Sequence, residues 1–520
     1  MALSHFALST LLHHLAHFKP FTALVVGDLM LDRITHGDVD RLCNDAPVPV
    51  LAVSHTEQRP GGAANVCLDM AVMSGTVHCF GVVGDDEAGR ALDGELRSRN
   101  IGTAGLVADA TRPTTVKQSL IGLAQHRHAQ KMFRLDYESR EPISETVADA
   151  LLARFAAALA GCDVVCIEDY NKGVCTPYLC RKVIELSRNA GKPVLVDPAA
   201  IADYSKYRGC SAITPNRSEA ELAAGKPAGD AGKPEAYAAL AEKLLRELEM
   251  DAAVITLDKQ GAMLLEVSGD ARVVPTVARQ VYDVTGAGDM VLAALAAGRA
   301  NGMSWFDAVR FANAAAGLEV EQFGVVPIPL DRIHRDILSR ENQSAGKFRS
   351  LDELLVELRA LRGSGAGGSG GLGVASGAAG TKKPCVVVAN GCFDVLHAGH
   401  VSLLRRAAAL GDYLVVAIND DASVKRLKGP ERPIYTQDDR AALLGELECV
   451  SAVVVFSDDT PESLIRAINP DVLVKGAQYD LDKIPGARFV LENGGKVELL
   501  EVVPGRSTTS TVSRIRSSEP

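Results

Sequence analysis

VYDVTGAGDMVLAALAAGRA, residues 281–300, decides the fold of the larger part of this 520-residue chain. A β-type segment runs into Gly286-Ala287-Gly288, and a helix starts near Asp289. Glycines at a strand-to-helix turn let backbone N–H groups converge without side chains in the way, and the helix start adds its positive dipole. The result is an anion hole suited to a phosphoryl group that gains charge during transfer. Asp289 sits at its mouth, where a carboxylate can accept the proton of an attacking hydroxyl. The plainer alternative is a glycine-rich turn with Asp289 as an N-cap, and a bare GxGD favours that alternative. The chain holds no GxxxxGK[ST] run, which removes a Walker-type phosphate loop.

The surroundings of this turn fit an α/β layer. Short apolar runs end in polar or glycine-rich turns: TALVVGD (22–28), VVCIEDY (164–170), PVLVDP (193–198) and AAVITLD (252–258). Helical stretches such as AYAALAEKLLRELEM (236–250) separate them. Continuous apolar strands alternating with helices imply a parallel sheet covered on both faces. Ligands of such sheets lie beyond the carboxyl ends of the strands. TTVKQSLIGLAQHRHAQKMFRLD (114–136) has two β-rich runs around a polar turn and reads as a hairpin, with His126 and His128 as turn residues.

A chain of this length exceeds what one core supports, so at least two domains are expected. RGSGAGGSGGLGVASGAAG (362–380) is nearly all Gly, Ser and Ala and reads as a tether. SLDELLVELRALR (350–362) before it has the spacing of a short helix. The expected division is a large domain at 1–345, a helical and Gly/Ser-rich linker at 346–384, and a small domain at 385–520. The net charge of −10 argues against a wrapped nucleic-acid partner. The eleven cysteines include no CxxC pair, which fits reduced thiols in a cytosolic protein. The first twenty residues lack an early basic patch, against a signal peptide, and no stretch approaches the roughly 18–20 apolar residues of a membrane span.

In the small domain, PCVVVANGCFDVLHAGHVSLLRRAAALGDYLVVAINDD (384–421) reads as one βαβ unit, its helix starting at about Ala398–Gly399. His397 and His400 lie near the first turn, three residues apart. Zinc would need further ligands, and none is obvious nearby. Phosphate contact at the helix start is the functional reading, but HxGH alone leaves it open against chance.

DVTGAGD (283–289) resembles the C-terminal signature of the ribokinase family of sugar kinases, and three more stretches match that family in order. VVGDLMLD (25–32) resembles the first strand, with Asp32 at the sugar-binding position. RPGGAANVCLDMA (59–71) resembles the di-glycine signature, with Gly61, Gly62 and Asn65 approaching the sugar. TPNRSEAE (214–221) resembles the Asn-x-x-Glu motif, which places Asn216, Arg217, Ser218 and Glu219 at ATP. The resemblance implies a three-layer domain with a small β lid and often a dimer contact. It implies Asp289 as base, the Gly286, Ala287 and Gly288 amides at the transferred phosphoryl group, and no direct protein ligand for Mg²⁺, which Glu219 and the ATP phosphates organise.

GCFDVLHAGHVSLL (391–404) resembles the cytidylyltransferase-like nucleotidyltransferases, and PGRSTTSTVSRI (504–515) matches their late phosphate motif. This implies a Rossmann-like domain in which His397 and His400 are catalytic. Gly391, Phe393, Asp394, Lys425, Ser507, Thr508 and Thr509 would bind the nucleotide. PDVLVKGAQYD (470–480) resembles another recurrent stretch of that fold. The fusion resembles the bifunctional heptose 7-phosphate kinase/heptose 1-phosphate adenylyltransferase family of lipopolysaccharide core biosynthesis. It implies a cytoplasmic homodimer or higher homo-oligomer whose partners are ATP, heptose 7-phosphate and heptose 1-phosphate, with no nucleic acid and no membrane. Arg41, Arg59, Arg134 and Lys172 are the candidates for the sugar's 7-phosphate. The alternatives are another sugar or vitamin kinase fused to a nucleotidyltransferase, or one domain acting as a non-catalytic binding module.

Overall fold

The computed structural model describes residues 10–123, 130–230, 233–269, 271–276, 281–322, 324–341, 347–363, 383–477 and 480–501. The chain forms two compact units, one of Phe18–Ile333 and one of Met1–His17 with His334–Pro520.

The first unit is built on a nine-stranded sheet. From one edge to the other the strands are Arg272–Val274, Ala262–Glu266, Ala252–Thr256, Ala212–Ile213, Val194–Asp197, Val164–Glu168, Phe21–Gly27, Gly75–Val83 and Gly102–Ala108. The seven strands from Ala252–Thr256 onward are parallel. Their apolar runs are buried on both faces, as Val164–Glu168 is throughout. Ala262–Glu266 runs antiparallel to both its neighbours, Ala252–Thr256 and Arg272–Val274, which the expectation of a parallel sheet did not include. Only Leu257, the short turn Asp258–Gln260 and Gly261 join Ala252–Thr256 to Ala262–Glu266. That is too short for a crossover helix, so the chain must double back.

A second, four-stranded sheet has the order Pro49–Gly62, Leu29–Leu42, Thr115–Leu123, Gln130–Tyr137. It grows directly from the main sheet, since only Asp28 separates Phe21–Gly27 from Leu29–Leu42. The hairpin read between 114 and 136 is present, with Gly122 paired to Gln130. Its turn, with His126 and His128, lies outside the described residues.

The second unit holds six parallel strands in the order Phe348–Arg349, Ala452–Phe456, Tyr413–Asn419, Val386–Gly391, Val472–Gly476, Lys496–Leu500. The βαβ reading holds: strand Val386–Gly391, helix Ala398–Ala408, strand Tyr413–Asn419. Residues 348–363, read as linker, are part of this unit. Phe348–Arg349 pairs with Ala452–Phe456, and helix Leu351–Gly363 buries Leu354 and Leu358 against Val388, Val415 and Val454. The helical turns at 10–16 join the same unit, where the Arg359 guanidinium donates to the Leu15 carbonyl at 3.1 Å. Among the described residues no helix is long and apolar enough to cross a membrane.

Candidate active sites

The helix after the glycine turn spans Ala287–Ala300, two residues earlier than read, and its N-cap is Gly286 at φ 91°. Residues 281–285 are not a strand. Asp283 bends them instead: its carboxylate accepts from the Thr285 amide at 3.0 Å, the Thr285 hydroxyl at 2.7 Å and the Gly324 amide at 3.2 Å. Asp289 therefore stands in the first helical turn and is not the N-cap. It is 5% exposed. Its Oδ1 accepts from the Tyr170 hydroxyl at 2.6 Å and its Oδ2 from Asn65 Nδ2 at 2.9 Å. Burial pushes its pKa to about 6, against the pull of these two donors and of Lys117. A carboxylate poised there can take a proton near neutral pH.

Tyr170 was missed in the sequence, and so was the residue that positions it. Asp28 is 1% exposed and accepts the backbone N–H groups of Tyr170, Lys172 and Val174 at 2.9, 3.0 and 3.1 Å. Those bonds fold the loop after Val164–Glu168 back toward Asp289. The Gly-Asp pair after the first strand was the available signal.

Asp32 faces the same space. A β-carbon on Gly61 would lie 2.7 Å from Asp32 Oδ2, so the glycine makes room for the carboxylate. Burial raises the Asp32 pKa, while Arg59, Lys117, Lys131 and Arg134 lower it. Gly62, at φ 58°, turns the chain into helix Ala63–Val72, which carries Asn65. These three motif stretches thus meet at one point.

The Asn-x-x-Glu stretch is more self-contained. Asn216 caps helix Arg217–Ala224 in a capping box with Glu219, and Ser218 donates to Asn216 Oδ1 at 2.8 Å. Arg217, read as an ATP contact, is spent on Asp258 at 2.9 Å and the Leu257 carbonyl at 2.7 Å. Between this helix and Asp289 lies an acid cluster: single ligand oxygens of Glu168, Asp197 and Asp289 lie within 4.8 Å of one another. Glu168 Oε2 is buried with no hydrogen-bond partner among the described residues. Such an oxygen-only set fits a hard divalent cation.

In the second unit His397 is the N-cap of helix Ala398–Ala408, and its ring stacks on His400 with centroids 3.8 Å apart. Phe393 packs edge-on against His400 at 5.1 Å. A β-carbon on Gly391 would lie 3.2 Å from that Phe393 ring. Burial, His397 and Lys428 together lower the His400 pKa to about 4, so a neutral imidazole offers one N–H. Lys428 is thus the cation acting on His400, whereas Lys425 is exposed one helical turn before it. Asp394 is not open to a nucleotide. It is 1% exposed, paired with Arg432, and accepts from the Ile434 amide at 2.6 Å. Lys475, in the stretch read only as recurrent, donates to the Asn390 carbonyl at 3.3 Å, and burial lowers its pKa to about 8. Ser507, Thr508 and Thr509 lie outside the described residues.

Comparison with known proteins agrees with this division. Residues 22–331 match the model of the pfkB family carbohydrate kinases, and residues 388–503 match the cytidylyltransferase-like model. A curated relative, "Bifunctional protein HldE" of Methylobacillus flagellatus, is 40% identical over 98% of this chain and 99% of its own. The protein of that name from Ectopseudomonas mendocina is 41% identical, covering 97% and 99%. Among solved structures, phosphofructokinase-2 from Escherichia coli with substrates and products aligns with a TM-score of 0.51 at 17% identity. That alignment covers 62% of this chain and all of the other, and it bears on fold alone. The two matched domains make the chain a transferase with a kinase part and a nucleotidyltransferase part. With two domains matched in this order and the likeness running nearly end to end, the chain belongs to the bifunctional HldE family, a pfkB carbohydrate kinase followed by a cytidylyltransferase-like domain.

Proposed function

We propose that the first domain phosphorylates O1 of D-glycero-β-D-manno-heptose 7-phosphate with ATP, and that the second transfers AMP from ATP to heptose 1-phosphate, giving ADP-heptose and pyrophosphate. The observation that carries the first half is Asp289, a buried carboxylate held by Tyr170 and Asn65 at a glycine-led helix start that Asp32 also faces. Asp32 orients the sugar, Asp289 takes the hydroxyl proton, and the amides at 286–288 meet the charge that develops on the transferred phosphoryl group. Mg²⁺ supplies charge neutralisation on the ATP phosphates; Glu219 would hold it through water, with Asp197 and Glu168 as the nearby carboxylates.

In the second half the attacking sugar phosphate is already an anion, so no general base is needed. His397, His400 and Lys428 align the triphosphate and offset its charge, and Lys425 and the hydroxyls of 507–509 extend that contact. The kinase activity resides in the unit of Phe18–Ile333, and the adenylyltransferase activity in the second unit, whose sheet and core include 348–363. The protein acts in the cytoplasm, and its product feeds lipopolysaccharide core synthesis. It works as a homodimer or higher homo-oligomer.

A coupled assay of each half tests this. Asp289→Ala is expected to abolish ADP formation from heptose 7-phosphate while pyrophosphate release from heptose 1-phosphate continues. His400→Ala is expected to do the reverse. Loss of both activities from either change in folded protein would refute independent sites.

A further inference from the structure

The stretch STLLHHLAHF (9–18) carries three histidines that have no part in either proposed reaction. It belongs to the second unit up to His17. Its helical turns bury Leu11, Leu12, Leu15 and Ala16, and the pattern leaves His13 and His17 exposed. The two are one helical turn apart: the His17 amide donates to the His13 carbonyl at 3.1 Å. Side chains four apart on a helix share a face, and these rings lie with centroids 4.4 Å apart.

A carboxylate from the other end of the unit's chain meets that face. Asp352 stands in the first turn of helix Leu351–Gly363, which the Arg359 guanidinium ties to the Leu15 carbonyl at 3.1 Å. Its neighbour Glu353 is occupied by the helix start: it accepts from the Ser350 amide at 2.6 Å, and the Ser350 hydroxyl accepts from the Glu353 amide at 3.3 Å. Asp352 is left to the histidines. Its Oδ2 lies 3.1 Å from His13 Nδ1 and its Oδ1 4.0 Å from His17 Nδ1. One ligand atom from each of the three residues falls within 4.8 Å of the others. Ligands about 2.1 Å from a tetrahedral ion stand roughly 3.4 Å apart, a spacing that the two nitrogen-to-oxygen distances bracket.

We infer that His13, His17 and Asp352 form a binding site for a borderline divalent transition-metal ion, with Zn²⁺ as its representative, that fastens the start of the chain to helix Leu351–Gly363. Two imidazoles and one carboxylate suit such an ion, whereas Mg²⁺ and Ca²⁺ take oxygen ligands. A simple His–Asp hydrogen bond needs one ring; here a second ring from the same helical face reaches the other oxygen of the same carboxylate. His17 Nδ1 also lies 2.9 Å from the His13 carbonyl. Coordination through Nδ1 exchanges that hydrogen bond for a bond to the metal, and the ring proton resides on Nε2. Solvent completes the coordination, since both rings are exposed. An ion bound only when the two segments are docked stabilises the docked form.

The test titrates Zn²⁺ into EDTA-treated, dialysed full-length protein in competition with a chromophoric chelator, with circular dichroism to confirm folding. The variants are His13→Ala/His17→Ala, Asp352→Ala and Asp352→His, with His36→Ala/His55→Ala as the control, because His36, His55 and Glu57 form a second group of metal-ligand type. The expected result is one Zn²⁺ per chain whose affinity falls about 10-fold or more in His13→Ala/His17→Ala and in Asp352→Ala, since even an outer partner of a metal ligand is worth that much. Asp352→His supplies a third imidazole and should keep the ion, which a mere ion pair between Asp352 and a protonated histidine would not do. The control should bind as wild type does. The wild-type thermal midpoint should rise with Zn²⁺ concentration, and that rise should vanish in Asp352→Ala. Wild-type protein that takes up no Zn²⁺ overturns the site. So does affinity within about two-fold of wild type in both His13→Ala/His17→Ala and Asp352→Ala, which would mean that the ion is held elsewhere.

Discussion

In the proposed kinase reaction Asp289 acts through the company its carboxylate keeps. Tyr170 and Asn65 both donate to its ionised form, and burial opposes ionisation more strongly, leaving a pKa of about 6. The kinase rate is therefore expected to fall on the acid side with a midpoint near that value, measured as kcat/KM against pH. Tyr170→Phe removes one donor and should move this limb to higher pH while lowering kcat; an unmoved limb would mean that Asp289 is not the titrating group. Glu319 is a quieter member of the same neighbourhood. It is 1% exposed, both carboxylate oxygens lack hydrogen-bond partners among the described residues, and burial, Asp289 and Asp283 push its pKa to about 8. Its folded-state pKa lies above its ordinary 4.5, so the protonated acid stabilises the fold below pH 4.5, and that contribution is lost as pH rises through 8. Glu319→Gln is expected to flatten the fall in thermal midpoint between about pH 4.5 and 8, read by melting curves in a series of buffers.

At the scale of elements, two glycines fix how strands hand over to helices. Gly286 has φ 91°, and a β-carbon there would stand 2.7 Å from Glu319 Oε1, so the turn needs both the left-handed backbone and the absent side chain. Gly61 is constrained differently. Its backbone is extended within strand Pro49–Gly62, but the Asp32 carboxylate occupies the place of a side chain. Gly61→Ala should therefore displace Asp32 without breaking the strand. The expected outcome is a KM for the sugar raised about ten-fold or more with a melting temperature close to wild type, since a misplaced orienting group costs binding and alignment. The second sheet grows out of the first through Asp28, whose three backbone acceptances also set the Tyr170 loop. One carboxylate thus couples the small sheet, the main sheet and the loop that carries Tyr170 to Asp289.

At the scale of the whole molecule, the Gly/Ser-rich stretch is a sequence boundary, but the second unit begins before it. Strand Phe348–Arg349 completes the six-stranded sheet and helix Leu351–Gly363 covers its core. A fragment starting at 385 would expose the Ala452–Phe456 edge and the apolar surface beneath Leu354 and Leu358. It is expected to aggregate or melt well below a fragment starting at 334, measured by circular dichroism and light scattering. In the full chain, Leu354→Ala should cost about 2–4 kcal/mol through the cavity it leaves. Equal stability of the two fragments would remove 348–363 from the fold of that unit.

The sequence by itself determined the α/β class, the two-domain order and the four kinase motifs with the HxGH turn, because these are local patterns. Apolar strand runs, glycines before helices and short polar signatures need only neighbours along the chain to be read. The tertiary structure alone decided who serves Asp289. Tyr170 stands 119 positions from it and Asn65 224, and no periodicity links them. It also decided that Asp394 and Arg217 are held by internal partners and that Lys428 acts on His400. The physical reason is the same in each case. A side chain's charge and hydrogen bonds are set by what packs within a few ångströms of it, and folding brings those atoms from strands that are remote in sequence.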